Sequence, residues 1–362
     1  MSDTVVFLGP TLSRQDAGRA LGAHFLPPVS QGDIISVAND RPRAIGIIDG
    51  YFQLVPAVWH KEILYALDKG IPVVGAASMG ALRAAELDAF GMVGVGRIYQ
   101  WYRSGFLEAD DEVAVIHSPS EIGHRPLSEA MVNIRATLER AVRCNGLPTE
   151  TALALLEACA ATPYWQRSFD RLLADGKGLG LSDAELTALE RCERVDQKKL
   201  DALEMLEWMA RAPAVDAATP EFPFNRTSKF DRLMDQDTCL ARNGDARITV
   251  SVLADFYRLH GQHLFPGAKS LALARAGGRA SDVVDALRSE GRLDAVLSEA
   301  MARDRSDGLR PCEGDDQAVL ERYCRQAGLK PDQTARDLGR TVGLDDGERF
   351  IERLHRFTFR SP

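Results

Sequence analysis

Paired cysteines are missing from this chain. Its six thiols (Cys144, Cys159, Cys192, Cys239, Cys312 and Cys324) are scattered, with no C-x-x-C pair, so the expectation is buried, reduced thiols rather than a zinc or disulfide framework. A surplus of positive charge is missing too: a formal net charge of −8 argues against a general binder of nucleic-acid backbone. No apolar run approaches the roughly 20 residues that span a bilayer. The opening residues, Met-Ser-Asp-Thr-Val-Val-Phe-Leu, lack the basic segment and apolar core of a signal peptide. These absences predict a soluble cytoplasmic protein with neither membrane nor nucleic-acid partners. Gly91, Gly94 and Gly96 do not fit a dinucleotide fingerprint, and no Walker lysine motif is present, so no cofactor is expected. Internal repeats are also absent.

What remains is ordinary globular composition, 45% apolar and 27% charged over 362 residues, enough for two domains or for one large domain with additions. The N-terminal third alternates short apolar runs with helical patterns. Val5–Leu8, Ala44–Ile48 and Ile71–Val74 read as strands buried on both faces. Between and after them, helices are expected from the Ser13 region to about Leu21, over Ile34–Ala38 with Asp33 as cap, from Pro56 to Lys69, and over Ala81–Leu87. Val113–Ile116 reads as a further strand, and the glycine-rich Phe90–Gly96 as a loop. Strands alternating with helices on short connections predict an α/β domain with a parallel, doubly wound sheet. In such sheets ligands bind beyond the carboxyl ends of the strands, which gathers Thr11, Ser13, Gln31, Asp33, Asp49, Ser78 and the start of the His60 helix around one crevice.

The most informative stretch is Gly75-Ala-Ala-Ser78-Met79-Gly80-Ala-Leu-Arg83. Small residues force a sharp turn from strand into helix, and Ala76–Gly80 is one residue away from the G-x-S-x-G nucleophile elbow. A hydroxyl on such a turn faces helix N–H groups that have no intrahelical partner, so an oxyanion formed at Ser78 would meet the Met79 N–H first, then that of Gly80. A plain helix cap is the alternative role for Ser78. A serine nucleophile needs a base. His60 is the candidate at neutral pH, with Asp49 to orient it in a triad, and Lys61 is a candidate if burial lowers its pKa. Arg83 either pairs with Glu86, three residues on, or reaches an anionic ligand.

From Glu121 onward helical patterns dominate: Leu127–Val142, Glu150–Ala161, Asp183–Ala210, Ile248–Leu259, Ala280–Ala302 and Asp315–Ala327. The expected organisation is an α/β core over 1–120, a helical region over 121–211, a proline-bearing linker over 212–232 and a mostly helical C-terminal extension over 233–362. Asp110-Asp111-Glu112 reads as solvated turn charge rather than a metal site. His260 and His263 read as exposed helix-end residues, since no third ligand stands nearby.

Several blocks together resemble the TfuA-like family: Phe7-Leu-Gly-Pro-Thr-Leu12, Gln31-Gly-Asp33, Asp49-Gly-Tyr-Phe52, Pro56–Leu64, Asp110–Val113 and, most specifically, Ser78-Met-Gly-Ala-Leu-Arg-Ala-Ala-Glu-Leu87. The resemblance covers about Val5 to His117. TfuA-like proteins are partners of YcaO enzymes, which modify peptide backbone amides using ATP. The resemblance therefore implies sulfur supply for thioamide formation, by hydrolysing or handing over sulfur from the thiocarboxylated C-terminus of a small ThiS-type carrier protein. Two further expectations stand beside it. One is a non-catalytic module that docks on and primes a YcaO enzyme. The other, weaker one is a phosphate or nucleotide site at Gly9-Pro10-Thr11 and the N-terminus of the Ser78 helix.

Overall fold

The computed structural model describes residues 4–52, 55–118, 124–144, 146–211, 222–236, 238–243, 246–304, 316–327 and 334–357. The chain divides into two compact units, Met1–Phe224 and Asn225–Pro362. In the first, β1 (Thr4–Phe7), β2 (His24–Leu26), β3 (Ala44–Ile47), β4 (Val73–Gly75) and β5 (Val93–Gly94) form one sheet in the order β2-β1-β3-β4-β5. Every pairing in it is parallel. The expected doubly wound α/β architecture is therefore observed, with the order reversing between β1 and β3. Two strands stand outside the expected set: β2, and β5, which lies inside the glycine-rich stretch expected to be a loop.

The alternation of side chains along each strand sets the two layers. Phe7, Ile45, Ile47 and Val73 face one side. There they pack with α2 (Asp33–Asn39), α3 (His60–Asp68) and α4 (Met79–Leu87). Val6, Ile48 and Val74 face the other side. That side is covered by α1 (Arg14–Ala20) and by Ala202, Met205, Leu206 and Met209 of α10 (Gln197–Arg211). Gly46 permits this cover, since a Cβ there would lie 3.2 Å from both Met205 Cε and Met209 Sδ. Of the remaining helices in this unit, α5 spans Arg97–Arg103, α6 Met131–Arg143, α7 Thr149–Ala160, α8 Phe169–Gly178 and α9 Asp183–Arg191. Helices from 121–211 thus stand in the same compact unit as the sheet.

Several local expectations are corrected. Val113–Ile116 is not a strand: it follows a single 3-10 turn over Asp110–Glu112. Pro56 lies ahead of α3, which begins at His60. Gly32 (φ +87°) rather than Asp33 caps α2, because the Asp33 carboxylate turns back to accept from the Ser30 N–H and hydroxyl at 2.8 and 2.7 Å. The long pattern over 183–210 is two helices, because Asp196 restarts the chain by accepting the Lys199 N–H at 3.0 Å, an N-cap in mid-pattern. Residues 212–221 of the expected linker lie outside the described residues, as does Cys312.

The second unit is mostly helical, as expected. It holds α11 (Ser228–Gln236), a hairpin of β6 (Cys239–Asn243) and β7 (Ala246–Thr249), then α12 (Val250–Leu264) and α13 (Lys269–Arg275). It continues through α14 (Ala280–Ser289), α15 (Leu293–Arg303), α16 (Asp316–Ala327), α17 (Ala335–Thr341) and α18 (Gly347–Arg356). The expected 280–302 helix breaks at Gly291, whose φ of +67° no side-chain-bearing residue adopts easily. His260 is not an exposed helix-end residue. It is 1% accessible in the core beside Phe256, and burial, with Arg303 and His263 nearby, pushes its pKa down to about 3. Among the described residues no helix is long and apolar enough to cross a membrane.

Candidate functional site

The carboxyl ends of β1 and β3 flank the point where the strand order reverses, the place a doubly wound sheet offers for a ligand, and β4 is the next strand beyond β3. The turn after β4 is unusually tight. The Ser78 N–H donates to the Ala76 carbonyl at 2.8 Å, closing a three-residue turn on Ala77, whose φ is +64°. A left-handed conformation in a residue with a Cβ is strained, and it sets Ser78 at the head of α4. Gly75 and Gly80 allow α4 to lie directly on the sheet, since a Cβ on Gly75 would strike the Gly80 carbonyl and one on Gly80 the Ile47 carbonyl. The Ser78 side chain makes no capping bond. Its Oγ donates instead to the Val113 carbonyl at a long 3.4 Å.

The triad suggested by the sequence is not assembled. Asp49 is buried, and both its oxygens serve the β1 loop: Oδ2 accepts from the Gly9 and Thr11 N–H groups at 2.8 and 3.1 Å, and Oδ1 from the Thr11 hydroxyl at 2.5 Å. Asp49 therefore clamps β3 to the loop after β1 at the switch point. It also occupies the N–H groups a phosphate would need, which removes the Gly9-Pro10-Thr11 phosphate expectation. The His60 ring, 50% accessible, pairs through Nε2 with Glu86 Oε2 at 2.8 Å. Arg83 joins the same carboxylate at 2.7 Å and also donates to the Val58 carbonyl. Burial opposes ionisation of Glu86, yet the bonds from His60 and Arg83 hold its carboxyl below the usual value. Lys61 lies with its ammonium 5.7 Å from the Phe224 ring centre.

The remaining expected residues divide between site and scaffold. The Gln31 N–H donates to the Pro56 carbonyl at 2.9 Å. Buried Glu62 ties the same loop to α3, accepting from the Gly32 and Trp59 N–H groups at 2.8 and 3.0 Å. The Gly80 N–H donates to the Ile48 carbonyl and is not free for an oxyanion. The Met79 N–H has no acceptor among the described residues, and it stands next to the Ser78 hydroxyl at a helix N-terminus.

Sequence reasoning missed the residues that enclose Ser78. Asp110 is exposed, as expected, but the other two acids are not solvated charge. Glu112 is buried and held by Arg135 of α6 through two bonds of 2.8 and 2.6 Å, and Asp111 by the buried Arg167 at 2.7 Å. Among the described residues no cluster of acidic, histidine and cysteine side chains could hold a metal. The clasp fixes Val113, whose carbonyl accepts a second bond, from Lys198 Nζ of α10 at 2.9 Å. Lys198 is 3% accessible. Burial drives its pKa down, while the carboxylates of Asp49, Asp196 and Glu129 partly restore it. The sequence offers one faint signal for it: Lys198-Lys199 is a basic pair in the first turn of a helix, the end that favours acids. A cavity of about 300 Å³ borders the same 110–114 segment, lined by Phe52, Asp110, Asp111, Ala114, Pro163, Tyr164 and Trp165.

Fold and site together define a doubly wound α/β domain with a serine hydroxyl set at the switch-point edge of the sheet. Residues 49–168 match the model of the TfuA-like protein family, and this part of the chain is TfuA-like. The match begins at Asp49 and runs to Ser168, so α6 and α7 fall inside it, although the resemblance read from the sequence stopped near His117. The family association implies a YcaO enzyme as partner. No curated protein matches the chain.

Proposed function

We propose that this protein mobilises sulfur for peptide backbone thioamide formation by its YcaO partner, cleaving the thiocarboxylated C-terminus of a ThiS-type carrier at Ser78. The observation that carries this is the strained Ala76–Ser78 turn, which sets a hydroxyl without a capping role beside the Met79 N–H. A thiocarboxylate is an acyl donor, and sulfide leaves far more readily than an amine, so no strong acid is needed. An oxyanion on the attacked carbon would take the Met79 N–H, a donor worth about 3 kcal/mol at the transition state. The weak Ser78–Val113 bond costs little to exchange for substrate. A Gly-Gly tail, which has no side chains, suits a turn built of the small residues Gly75, Ala76, Ala77 and Gly80.

Sulfide release from thiocarboxylated carrier tests this. Ser78→Ala should lower it by about 10³-fold or more, while bisulfide added freely should restore thioamidation by the YcaO enzyme. Undiminished release from Ser78→Ala would remove the hydroxyl from the chemistry. The low accessibility of Ser78, 3%, favours a second reading, in which the domain docks on and primes the YcaO enzyme without catalysis. Free bisulfide would then fail to replace the protein.

A further inference from the structure

The cavity beside the 110–114 segment has walls of two kinds. Phe52, Tyr164 and Trp165 supply aromatic surface, and Asp110 and Asp111 supply carboxylates. The Tyr164 and Trp165 rings meet edge to face with centres 5.2 Å apart, and Trp165 is 49% exposed, so much of its ring is open to an incoming group. Buried Arg167 makes the frame rigid. Its Nε donates to the Cys159 and Thr162 carbonyls at 3.1 and 3.0 Å. Its terminal nitrogens donate to the Asp111 carbonyl and carboxylate at 2.9 and 2.7 Å. These bonds lock the turn over Tyr164–Gln166 onto the 110–114 segment and spend the Arg167 cation inside the wall. Asp111 is thereby matched. Asp110 is exposed and meets no hydrogen-bond or ion-pair partner among the described residues, which leaves the cavity with unmatched negative charge.

Aromatic rings beside an unpaired carboxylate attract a cation and repel a phosphate. A guanidinium fits both walls, since it stacks on a ring by its face and bonds a carboxylate by its edge. The volume, about 300 Å³, stands at the small end of ligand pockets and suits one long side chain. The position of the cavity says whose side chain that is. Ala114 of its wall follows Val113, whose carbonyl accepts from Ser78 Oγ at 3.4 Å, and Phe52 follows Asp49 beyond the end of β3. A chain that ends at Ser78 therefore passes within a few residues of the cavity. Its last two residues, both glycine, offer no side chain. An extended chain advances about 3.3–3.6 Å per residue, so the third to fifth residues from the end stand about 7–14 Å from the reacting carbon. We propose that the cavity is a specificity subsite for an arginine side chain borne three to five residues before the end of the carrier tail. This rests on the cleavage proposed above. The subsite binds and orients the tail, and no bond forms or breaks there.

The test uses the full-length protein and short fluorescent peptides that end in Gly-Gly with a free carboxylate. They carry arginine, glutamine or glutamate at the third, fourth or fifth position from the end. Fluorescence anisotropy should show arginine at one of these positions binding about 10-fold more tightly than glutamine, with glutamate weaker still. Added salt should shrink the preference. Trp165→Ala and Asp110→Asn, both at exposed positions, should each cut it about three-fold and together abolish it, leaving the affinity for the glutamine peptide where it was. In sulfide release from carrier with an arginine tail, the double variant should raise KM about 10-fold and keep kcat. Equal affinity for the three residues at every position, or a preference that survives the double variant, overturns the assignment. So does an arginine peptide that binds as tightly without its Gly-Gly end, since the cavity would then serve a basic segment of another partner. An arginine preference lost in the double variant, with undiminished release from Ser78→Ala, would keep the subsite and remove the hydroxyl from the chemistry. No preference alongside an inactive Ser78→Ala would remove the subsite and keep the cleavage.

Discussion

Two buried charges, one in each unit, are partnered in opposite ways. In the second, Asp255 of α12 is wholly inaccessible and fully engaged: Arg258 donates to one oxygen at 2.7 Å, and Arg349 and Arg353 to the other at 2.8 and 3.1 Å. Arg258 is then closed off by the carbonyls of Ala274 and Gly278. Every charge in that network meets an opposite charge or a carbonyl, so it fixes α18 against α12 and has nothing left to give a ligand. In the first unit Lys198 is as deeply buried but meets a single carbonyl, shared with a serine. A saturated network holds structure, whereas a buried amine with one carbonyl acceptor keeps donors unspent.

The sharpest way to break this contrast is Asp255→Ala. It should cost about 3–5 kcal/mol of unfolding free energy by stranding buried guanidinium groups, with sulfide release retained wherever the protein is folded. A loss below about 1 kcal/mol in denaturant titration would mean that the arginines are solvated after all.

His260 gives the next largest effect. Its folded pKa is about 3 against about 6.5 unfolded, so below pH 6.5 the unfolded chain binds the extra proton. Stability should therefore fall as the pH drops from 6.5 towards 3, by about 1.4 kcal/mol per pH unit. The dependence should flatten in His260→Leu, and equal slopes for both proteins would show that the ring is protonated in the fold. Lys198 acts in the same direction at higher pH. Its folded pKa lies below the unfolded value of about 10.4, so its neutral form gains on folding as the pH rises between the two. Wild type should gain stability over Lys198→Met across that window, and parallel curves would mean a charged amine in the crevice. The smallest effect belongs to His60→Ala. Its ring and Glu86 are solvent-accessible, so stability and sulfide release should move by no more than about 0.5 kcal/mol, or about two-fold in rate. A loss of about 100-fold would bring the imidazole back to the reaction.

The turn around Ser78 was legible because its signal is local. Small residues between a β-branched run and a helix former permit few backbone paths, and Gly75, Ala77 and Gly80 follow the expected one. Asp49 was legible as a strand-end acid at the crevice, but its role was not, because the Gly9 and Thr11 N–H groups that claim it lie about 40 residues earlier in the chain. His60 and Lys61 are the base candidates the sequence offers because they lie near Ser78 in the chain, and the His60 ring pairs with Glu86. Lys198 stands about 120 residues beyond Ser78, in a pattern that looked like one long helix.

The sequence by itself determined the doubly wound sheet, the helical second half and the serine at the strand-to-helix turn, since periodicity, small-residue spacing and turn chemistry act over a few residues. Tertiary structure alone decided which groups surround that serine. Hydrogen bonds and desolvation are set by atoms a few ångströms away in space, and here α6, α10 and the 110–114 segment bring those atoms from distant parts of the chain.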